Sequence, residues 1–277
     1  MNNPLFMGIH LGGESTSRTS VALFELDQED NKLKFRSIDE KVGARKFENA
    51  DGVLKTLIES KGLPVRHKQG NYIYKIAINA PFTLPPCFFC GQNCRGVECL
   101  SLKGKYLDKL SKINKKMVSQ KKKFLPYIHR PCDAFLRTFV DPSLSHHEPM
   151  NANNSHLAAR GYYIKEVLLR DYSFIEAYPK LILVMLRKKF KLLKKQVVSY
   201  NSISNGKFYR KYMIEKFENE FSVCIPEVEK NKITSSSENF CAFVLGFLSY
   251  LQYIDKTEVM PADFPLNANW IYFPKCE

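Results

Sequence analysis

The sequence lacks both a long apolar run and a leader-like start. No apolar segment approaches the roughly 18 residues that are needed to span a bilayer, and residues 1–14 contain no cationic region ahead of an apolar core. We therefore expect a cytoplasmic protein with no membrane partner. No internal repeat is present, which argues against a repeat architecture.

Acidic residues are scarce relative to basic ones. Lysine and arginine total 42 against 28 aspartates and glutamates, which gives a formal net charge of +14. This excess favours a polyanionic partner, and we expect nucleic acid, although surface charge that serves only solubility would look the same. With 277 residues and 44% hydrophobic content, the chain can bury a large core. We expect one domain over residues 1–277 that carries an insertion.

The order of predicted elements indicates an α/β fold. Short apolar or alternating segments at residues 6–12, 21–26 and 33–38 predict three strands, and apolar residues at helical spacing predict a helix over 49–59. A β-rich segment over 72–80 ends at Pro81 and predicts a buried fourth strand. Three strands, a helix and a fourth strand are the order of an RNase H-like mixed sheet flanked by helices.

Beyond Pro81, an insertion at about residues 83–124 separates this first half from a second set of elements. We predict helices over 126–140, 156–169, 181–193, 207–221 and 238–254, with a loop over 142–154, a buried strand over 172–177 and a short terminal strand over 270–273. The helix over 238–254 is almost wholly apolar, so we expect it to lie in the core.

Four of the eight cysteines form a tight run inside the insertion. Cys87, Cys90, Cys94 and Cys99 lie within thirteen residues, and glycines in the run allow four sulfurs to converge. A thiolate cage of this kind suits a structural zinc ion or an iron–sulfur cluster. Free thiols or disulfides are the alternative, and a cytoplasmic setting argues against disulfides. We predict a Cys-rich metal loop and leave the choice of metal open.

Basic residues concentrate in two stretches. Residues 103–123 contain only Asp108 to oppose their lysines, and a second cluster follows Pro179 on a predicted helix whose apolar residues can face the core. Phosphate contact and a solvated helix face both remain open for these residues, because no base-reading motif accompanies the charge. The candidate nucleic-acid contacts are Lys121, Lys122, Lys123, Arg130, Arg187, Lys188, Lys189, Lys194 and Lys195.

Several segments, in order along most of the chain, resemble a known family. They are GIHLGG at residues 8–13, INAP at 78–81, IEAYP at 175–179 and WIYFP at 270–274. Together they resemble the domain of unknown function 429 family, whose members are predicted RNase H-like nucleases. LPPC at 84–87 and YIHRPCD at 127–133 are similar to a cysteine-bearing branch of it.

The resemblance implies a two-magnesium site built from carboxylates, and this chain departs from that pattern. An aspartate is expected where His10, Asn79 and Cys241 stand, and Glu176 and Glu238 are the carboxylates that remain. Two carboxylates and a neutral amide make a poor Mg²⁺ cage, so we expect an altered and non-catalytic site. His10 and Asn79 would then be hydrogen-bonded polar residues at strand ends.

Three functions follow from these features. The preferred one is a nucleic-acid-associated RNase H-like protein with a non-catalytic acidic site and a structural four-cysteine metal loop. The alternative is an active Mg²⁺-dependent nuclease with rearranged ligands, using Glu176, Glu238 and either His10 or Asp133. A protein-interaction module that binds no nucleic acid is the third. Arg130 and Glu176 are equally able to form a structural ion pair.

Overall fold

The computed structural model describes residues 3–12, 18–43, 49–66, 71–91, 128–139, 149–150, 154–262, 264 and 269–275. Its strands are β1 (Pro4–His10), β2 (Ser20–Asp27), β3 (Lys32–Asp39), β4 (Leu63–Pro64), β5 (Tyr72–Ile78), β6 (Phe174–Ala177) and β7 (Ile271–Tyr272). Its α-helices are α1 (Ala50–Lys61), α2 (Pro131–Phe139), α3 (Ser155–Tyr163), α4 (Pro179–Leu186), α5 (Lys194–Val198), α6 (Gly206–Phe221), α7 (Glu227–Ser235) and α8 (Ser237–Tyr253). The predicted α/β class is confirmed.

The strands form one mixed sheet in the order β3-β2-β1-β5-β6-β7, and β4 pairs with the start of β5. The first three strands are antiparallel neighbours, whereas β1, β5, β6 and β7 run parallel to one another. Ile9 pairs with Ile78, and Ile78 pairs with Glu176. The carboxyl ends of β1, β5 and β6 therefore meet at one edge of the sheet, and we call this the carboxyl edge.

Helix α8 lies across one face of the sheet and forms the centre of the larger core. Its start is capped by Ser236, whose side chain accepts a hydrogen bond from the backbone N–H of Asn239. The helix touches β1 backbone to backbone, because a Cβ atom on Gly8 would overlap with Ala242 O and Gly246 N. The predicted burial of this helix is confirmed.

Helices cover both faces of the sheet. The core around α8 also takes apolar residues from α4, α5 and α6, whereas the opposite face of β1 and β5 packs against α1 and α3. A third apolar cluster joins α2 to Trp270 and β7. Among the described residues, no helix is long and apolar enough to cross a membrane.

The helix that was predicted over 181–193 differs most from the structure. Helix α4 ends at Leu186, a turn follows, and Lys191 has a left-handed backbone with φ of 53°. A separate short helix, α5, begins at Lys194. The basic residues after Pro179 therefore lie on a turn and a second helix, because burial of Phe190 bends the chain back onto the core.

Smaller differences concern other elements. Helix α7 was not predicted, α2 begins at Pro131, and α3 continues into a π-helical turn, Ile164–Leu168. Most of the predicted Cys-rich insertion, from residue 92 onward, lies outside the described residues.

Candidate functional site

The carboxyl edge brings together the polar residues that the sequence singled out. His10 is the last residue of β1, Asn79 follows β5 directly, and Glu176 lies in β6. Glu238 lies in the first turn of α8, close enough to His10 for the two side chains to interact electrostatically. Since the three strands are parallel neighbours, their ends place these side chains along one edge, as expected for α/β sheets.

Asn79 orients His10 through a pair of hydrogen bonds. Its Oδ1 atom accepts from the backbone N–H of Leu11 at 2.6 Å, and its Nδ2 atom lies 3.1 Å from Nδ1 of His10. Because the Leu11 amide can only donate, the amide group of Asn79 must present its N–H₂ to the imidazole. Nδ1 of His10 is therefore the acceptor, and the neutral imidazole carries its proton on Nε2.

The start of α8 contributes a residue that sequence reasoning missed. Asn239 is buried, its Oδ1 atom accepts a hydrogen bond from Ser20 Oγ at 2.7 Å, and Ser20 is the β2 partner of His10. Its Nδ2 atom donates to Glu40 Oε2 at 3.0 Å. Asn239 thus ties α8 to the strand beside His10. An amide next to the expected acidic position was the available sequence signal.

Glu238 is an ionised carboxylate at this edge. Burial opposes its charge, but hydrogen bonds from its own backbone N–H and from Ser237, together with the charge of Arg18, hold its pKa below the ordinary value. The side chain is half-buried. It is therefore a charged group that solvent can still reach.

Glu176 is fully buried and all its acceptor positions are used. Oε1 accepts from Arg130 Nη2 at 2.8 Å and from the Tyr178 hydroxyl. Oε2 accepts from Arg130 Nη1 at 2.9 Å, from the Phe82 amide at 3.1 Å and from Asn269 Nδ2 at 2.8 Å. Five donors on two oxygens leave this carboxylate no free lone pair for a metal ion.

Arg130 is the cation that neutralises this carboxylate. Its side chain is 1% exposed, and besides Glu176 it binds Asp133, with Nε to Oδ2 at 3.0 Å and Nη2 to Oδ1 at 2.9 Å. Burial opposes the guanidinium charge, but the Asp133 and Glu176 carboxylates raise the pKa of Arg130 well above its ordinary value. The predicted ion pair is present. The predicted phosphate contact would need an exposed side chain, which Arg130 does not have.

Cys241 lies in the core rather than against His10. Its Sγ atom is 3.8 Å from the Tyr200 hydroxyl, and burial raises the pKa of the thiol to about 12. The resemblance implied a third aspartate at this position. Its side chain instead faces Tyr200, which lies between α5 and α6. Asn239 is the α8 residue that reaches the first strands.

The second basic cluster lies in a long segment without any acidic residue. Between residues 180 and 214 there are ten basic residues and no aspartate or glutamate: Lys180, Arg187, Lys188, Lys189, Lys191, Lys194, Lys195, Lys207, Arg210 and Lys211. Lys188, Lys194 and Lys195 are exposed, and Arg187 and Lys189 are partly buried. The other candidates, Lys121, Lys122 and Lys123, lie outside the described residues.

Arg210 anchors this basic segment beside the start of α8. Its guanidinium donates to the carbonyl oxygens of Tyr200 at 2.5 Å and Thr234 at 3.0 Å. Tyr200 in turn contacts Phe240 and Cys241 in the first turns of α8. Tyr200 and Arg210 of the basic segment therefore lie at the helix end that carries Glu238 and Asn239, whereas Lys189 lies beside Leu251 near the other end of α8.

The sequence suggested two metal sites, a magnesium site at the acidic residues and a zinc or iron–sulfur site at the four cysteines. The Glu176 environment does not fit Mg²⁺, because a guanidinium already occupies the space where a cation would meet the carboxylate. Cys87 and Cys90 are half-buried, and Cys94 and Cys99 lie outside the described residues. Within the described part of the chain, no group of three or more His, Cys, Asp or Glu residues could hold a metal ion. The four-cysteine site therefore stays a prediction.

Comparisons with protein families, with curated proteins and with solved structures give no match for this chain. A functional proposal therefore depends on the residues of the carboxyl edge and on the charge around it.

Proposed function

We propose that this chain is a nucleic-acid-associated RNase H-like protein whose carboxyl-edge site is non-catalytic. The fold part of the proposal is supported by topology: three antiparallel strands, then parallel strands on the β1 side in the order β3-β2-β1-β5-β6. The last long helix, α8, crosses β1 and brings Glu238 to the carboxyl edge. These are the positions at which an RNase H-like fold presents its acidic residues.

The observation that carries the non-catalytic part is the saturation of Glu176. A two-metal nuclease needs carboxylate oxygens that are free to bind hard cations. Here the guanidinium of Arg130 binds both Glu176 oxygens, and Asp133 holds that guanidinium in place. Removing the Arg130 side chain from this cluster would leave two buried carboxylates without a cation to balance their charge, which is costly. The arrangement thus stabilises the fold and leaves no cation site at Glu176.

The nucleic-acid part is supported by the basic segment. Lys188, which follows α4, and Lys194 and Lys195 on α5 are exposed, and the segment is acid-free from residue 180 to residue 214. Clustered positive charge on these exposed lysines would bind a phosphate backbone through counterion release, with little sequence preference.

A second candidate is the active nuclease with rearranged ligands. It is favoured by one observation: Glu238 is ionised, half-buried and close to His10. A carboxylate and an imidazole at one edge could serve as general acid and base. Protein binding without nucleic acid is the third outcome.

The test measures binding and cleavage on the same samples. Fluorescently labelled single- and double-stranded DNA and RNA are titrated with the protein at low salt, then incubated with Mg²⁺ or Mn²⁺. We expect binding to all of them and no cleavage above that of a Glu238→Gln variant, which is the control for contaminating nucleases.

Cleavage that the wild type shows and the Glu238→Gln variant lacks would replace the proposal with the active nuclease. Absence of binding to every nucleic acid at low salt would favour the protein-interaction module.

A further inference from the structure

Helix α6 exposes an aromatic side chain that the fold does not use. The residues that α6 buries are Gly206, Arg210, Met213, Ile214 and Phe217, which form one stripe along the helix. Phe208 points away from this stripe and is 70% exposed. A phenylalanine at such a position contributes little to the core, because its ring stays in water.

Other aromatic rings surround Phe208 on the same helix. Its ring centroid lies 5.5 Å from that of Tyr209 in an edge-on arrangement, and Tyr212 follows one turn later, where i and i+4 side chains are neighbours. Tyr209 and Tyr212 are both partly exposed. Three aromatic residues within five positions thus line the outward side of the first half of α6.

Positive charge lies among these rings. Lys207 and Lys211 are exposed and one turn apart, and the Nζ atom of Lys216 lies 5.3 Å from the centre of the Tyr212 ring. The first acidic residue of the helix is Glu215, so the aromatic half of α6 belongs to the acid-free segment. We call Lys207, Phe208, Tyr209, Lys211 and Tyr212 the aromatic-basic face.

We propose that the aromatic-basic face binds single-stranded nucleic acid, with unpaired bases stacked on Phe208 and Tyr212 and phosphates held by Lys207 and Lys211. This inference rests on the proposed function and specifies its ligand. Phe208 and Tyr212 form one row along the helix and Lys207 and Lys211 a second row beside it. Such paired rows match a single strand, whose bases lie to one side of its phosphate backbone. A duplex hides its base faces, so it would meet only the lysines.

The charge pattern favours this ligand over a protein partner. Protein interfaces have an apolar centre from which charged residues, lysine in particular, are depleted. Phe208 instead lies beside two exposed lysines, Lys207 and Lys211, and ammonium groups there would have to lose their water against a neutral partner. A phosphate backbone compensates those charges directly.

The test compares a labelled single strand of about 12 nucleotides, a length suited to such surfaces, with a duplex of the same sequence by fluorescence anisotropy. Phe208→Ala is the test variant and Phe208→Trp the conservative one. Tyr162→Ala is the matched control, because Tyr162 is 55% exposed on α3, which packs against the opposite face of the sheet.

We expect the wild type to bind the single strand more tightly than the duplex. Phe208→Ala should weaken single-strand binding about tenfold or more and leave duplex binding within about twofold, since stacking is lost and the phosphate contacts stay. Phe208→Trp and Tyr162→Ala should keep wild-type binding. Because Phe208 is exposed, thermal unfolding should be unchanged in all three variants.

Two results would overturn the inference in distinguishable ways. Equal binding of single strand and duplex, with Phe208→Ala like wild type, would remove the stacking role and leave the proposed function intact. No binding of either nucleic acid would remove both.

Discussion

At the scale of single residues, the carboxyl edge shows how one buried cation changes what a carboxylate can do. Glu176 and Asp133 are fully buried, and Arg130 between them is 1% exposed. Charges are tolerated in a protein interior only when they are paired and hydrogen-bonded. Arg130 satisfies both acids at once, so this trio is a structural unit.

Arg130→Gln should therefore lower the free energy of unfolding by about 3–5 kcal/mol, the cost of breaking a buried ion pair by removing one partner. Lys55→Gln is the control, because Lys55 pairs with Glu59 on the surface of α1, where the two side chains are 39% and 46% exposed. A surface pair of this kind contributes at most about 1 kcal/mol. Urea unfolding measures both. Equal effects of the two variants would contradict a structural role for the buried trio.

The sequence predicted part of this site because the positions of strand ends can be read from local sequence patterns. Strand ends carry His10, Asn79 and Glu176, and the edge at which parallel strands finish follows from strand order. Tyr178 also had a signal, since it lies two residues after Glu176 and period-two spacing returns a strand to the same side. Asn269 had none, because it reaches Glu176 only through the three-dimensional path of the chain.

Alkaline pH should destabilise the protein through Cys241. Burial raises the pKa of this thiol from 9.0 to about 12, so the folded state favours the protonated form. The contribution is complete below pH 9.0 and is lost as the pH rises toward 12, because the unfolded thiol ionises first. Each pH unit in that window removes about 1.4 kcal/mol.

The measurement is urea unfolding at several pH values within that window for wild type, Cys241→Ala and Cys224→Ala. Cys224 is exposed, so its removal should leave the slope unchanged. Buried tyrosines such as Tyr200 and Tyr178 act in the same direction, so Cys241→Ala should reduce the slope without abolishing it. An identical slope for all three proteins would contradict the prediction.

At the scale of elements, the contact between α8 and β1 determines where the start of α8, which carries Glu238, lies. Gly8 and Gly246 let the two backbones touch, and a side chain at either position meets backbone or the ring of Phe24. The sequence predicted both elements but not this crossing. A glycine in a strand can mark a bulge, a bend or a close backbone contact, and the sequence does not distinguish these. The sequence also did not reveal that α4 ends at Leu186. Leu183, Leu186 and Phe190 are spaced as on one helix, although a turn separates Phe190 from α4.

Gly8→Ala should destabilise the protein by about 3 kcal/mol or more, because the added carbon meets backbone atoms that cannot rotate away. Gly52→Ala is the matched control: it lies in α1, and the nearest atom to an added Cβ is 3.6 Å away. Helix propensity should make that variant neutral or up to about 1 kcal/mol more stable. Circular dichroism during urea unfolding distinguishes the two, and comparable stability would contradict the close crossing.

At the scale of the whole molecule, charge and the cysteine run were visible in the sequence, but their spatial roles were not. Composition gives the excess of 14 positive charges, whereas only the fold shows that the acid-free segment reaches the start of α8 at Arg210. The metal prediction likewise depends only on the close spacing of four cysteines in the sequence.

Purified protein should contain about one zinc ion or one iron–sulfur cluster per chain, since four closely spaced thiolates suit either. Elemental analysis measures the metal, and visible absorption separates iron–sulfur from zinc. Cys90→Ser should lose it, whereas Cys224→Ser should not, because Cys224 lies far along the chain beside β3. Metal-free wild type with all four thiols open to alkylation would contradict the prediction.

The whole-molecule charge also predicts how binding depends on salt. For a single strand, log affinity falls with log salt with a slope of about −0.7 for each phosphate that the protein neutralises. Lys188→Gln/Lys195→Gln removes two exposed charges from the acid-free segment and should make the slope shallower by about 1.4. Lys32→Gln/Lys55→Gln removes the same charge from β3 and α1 and should leave the slope unchanged. Anisotropy titrations across a salt series measure both slopes. Equal slopes for the two variants would mean that net charge, and not the acid-free segment, holds the nucleic acid.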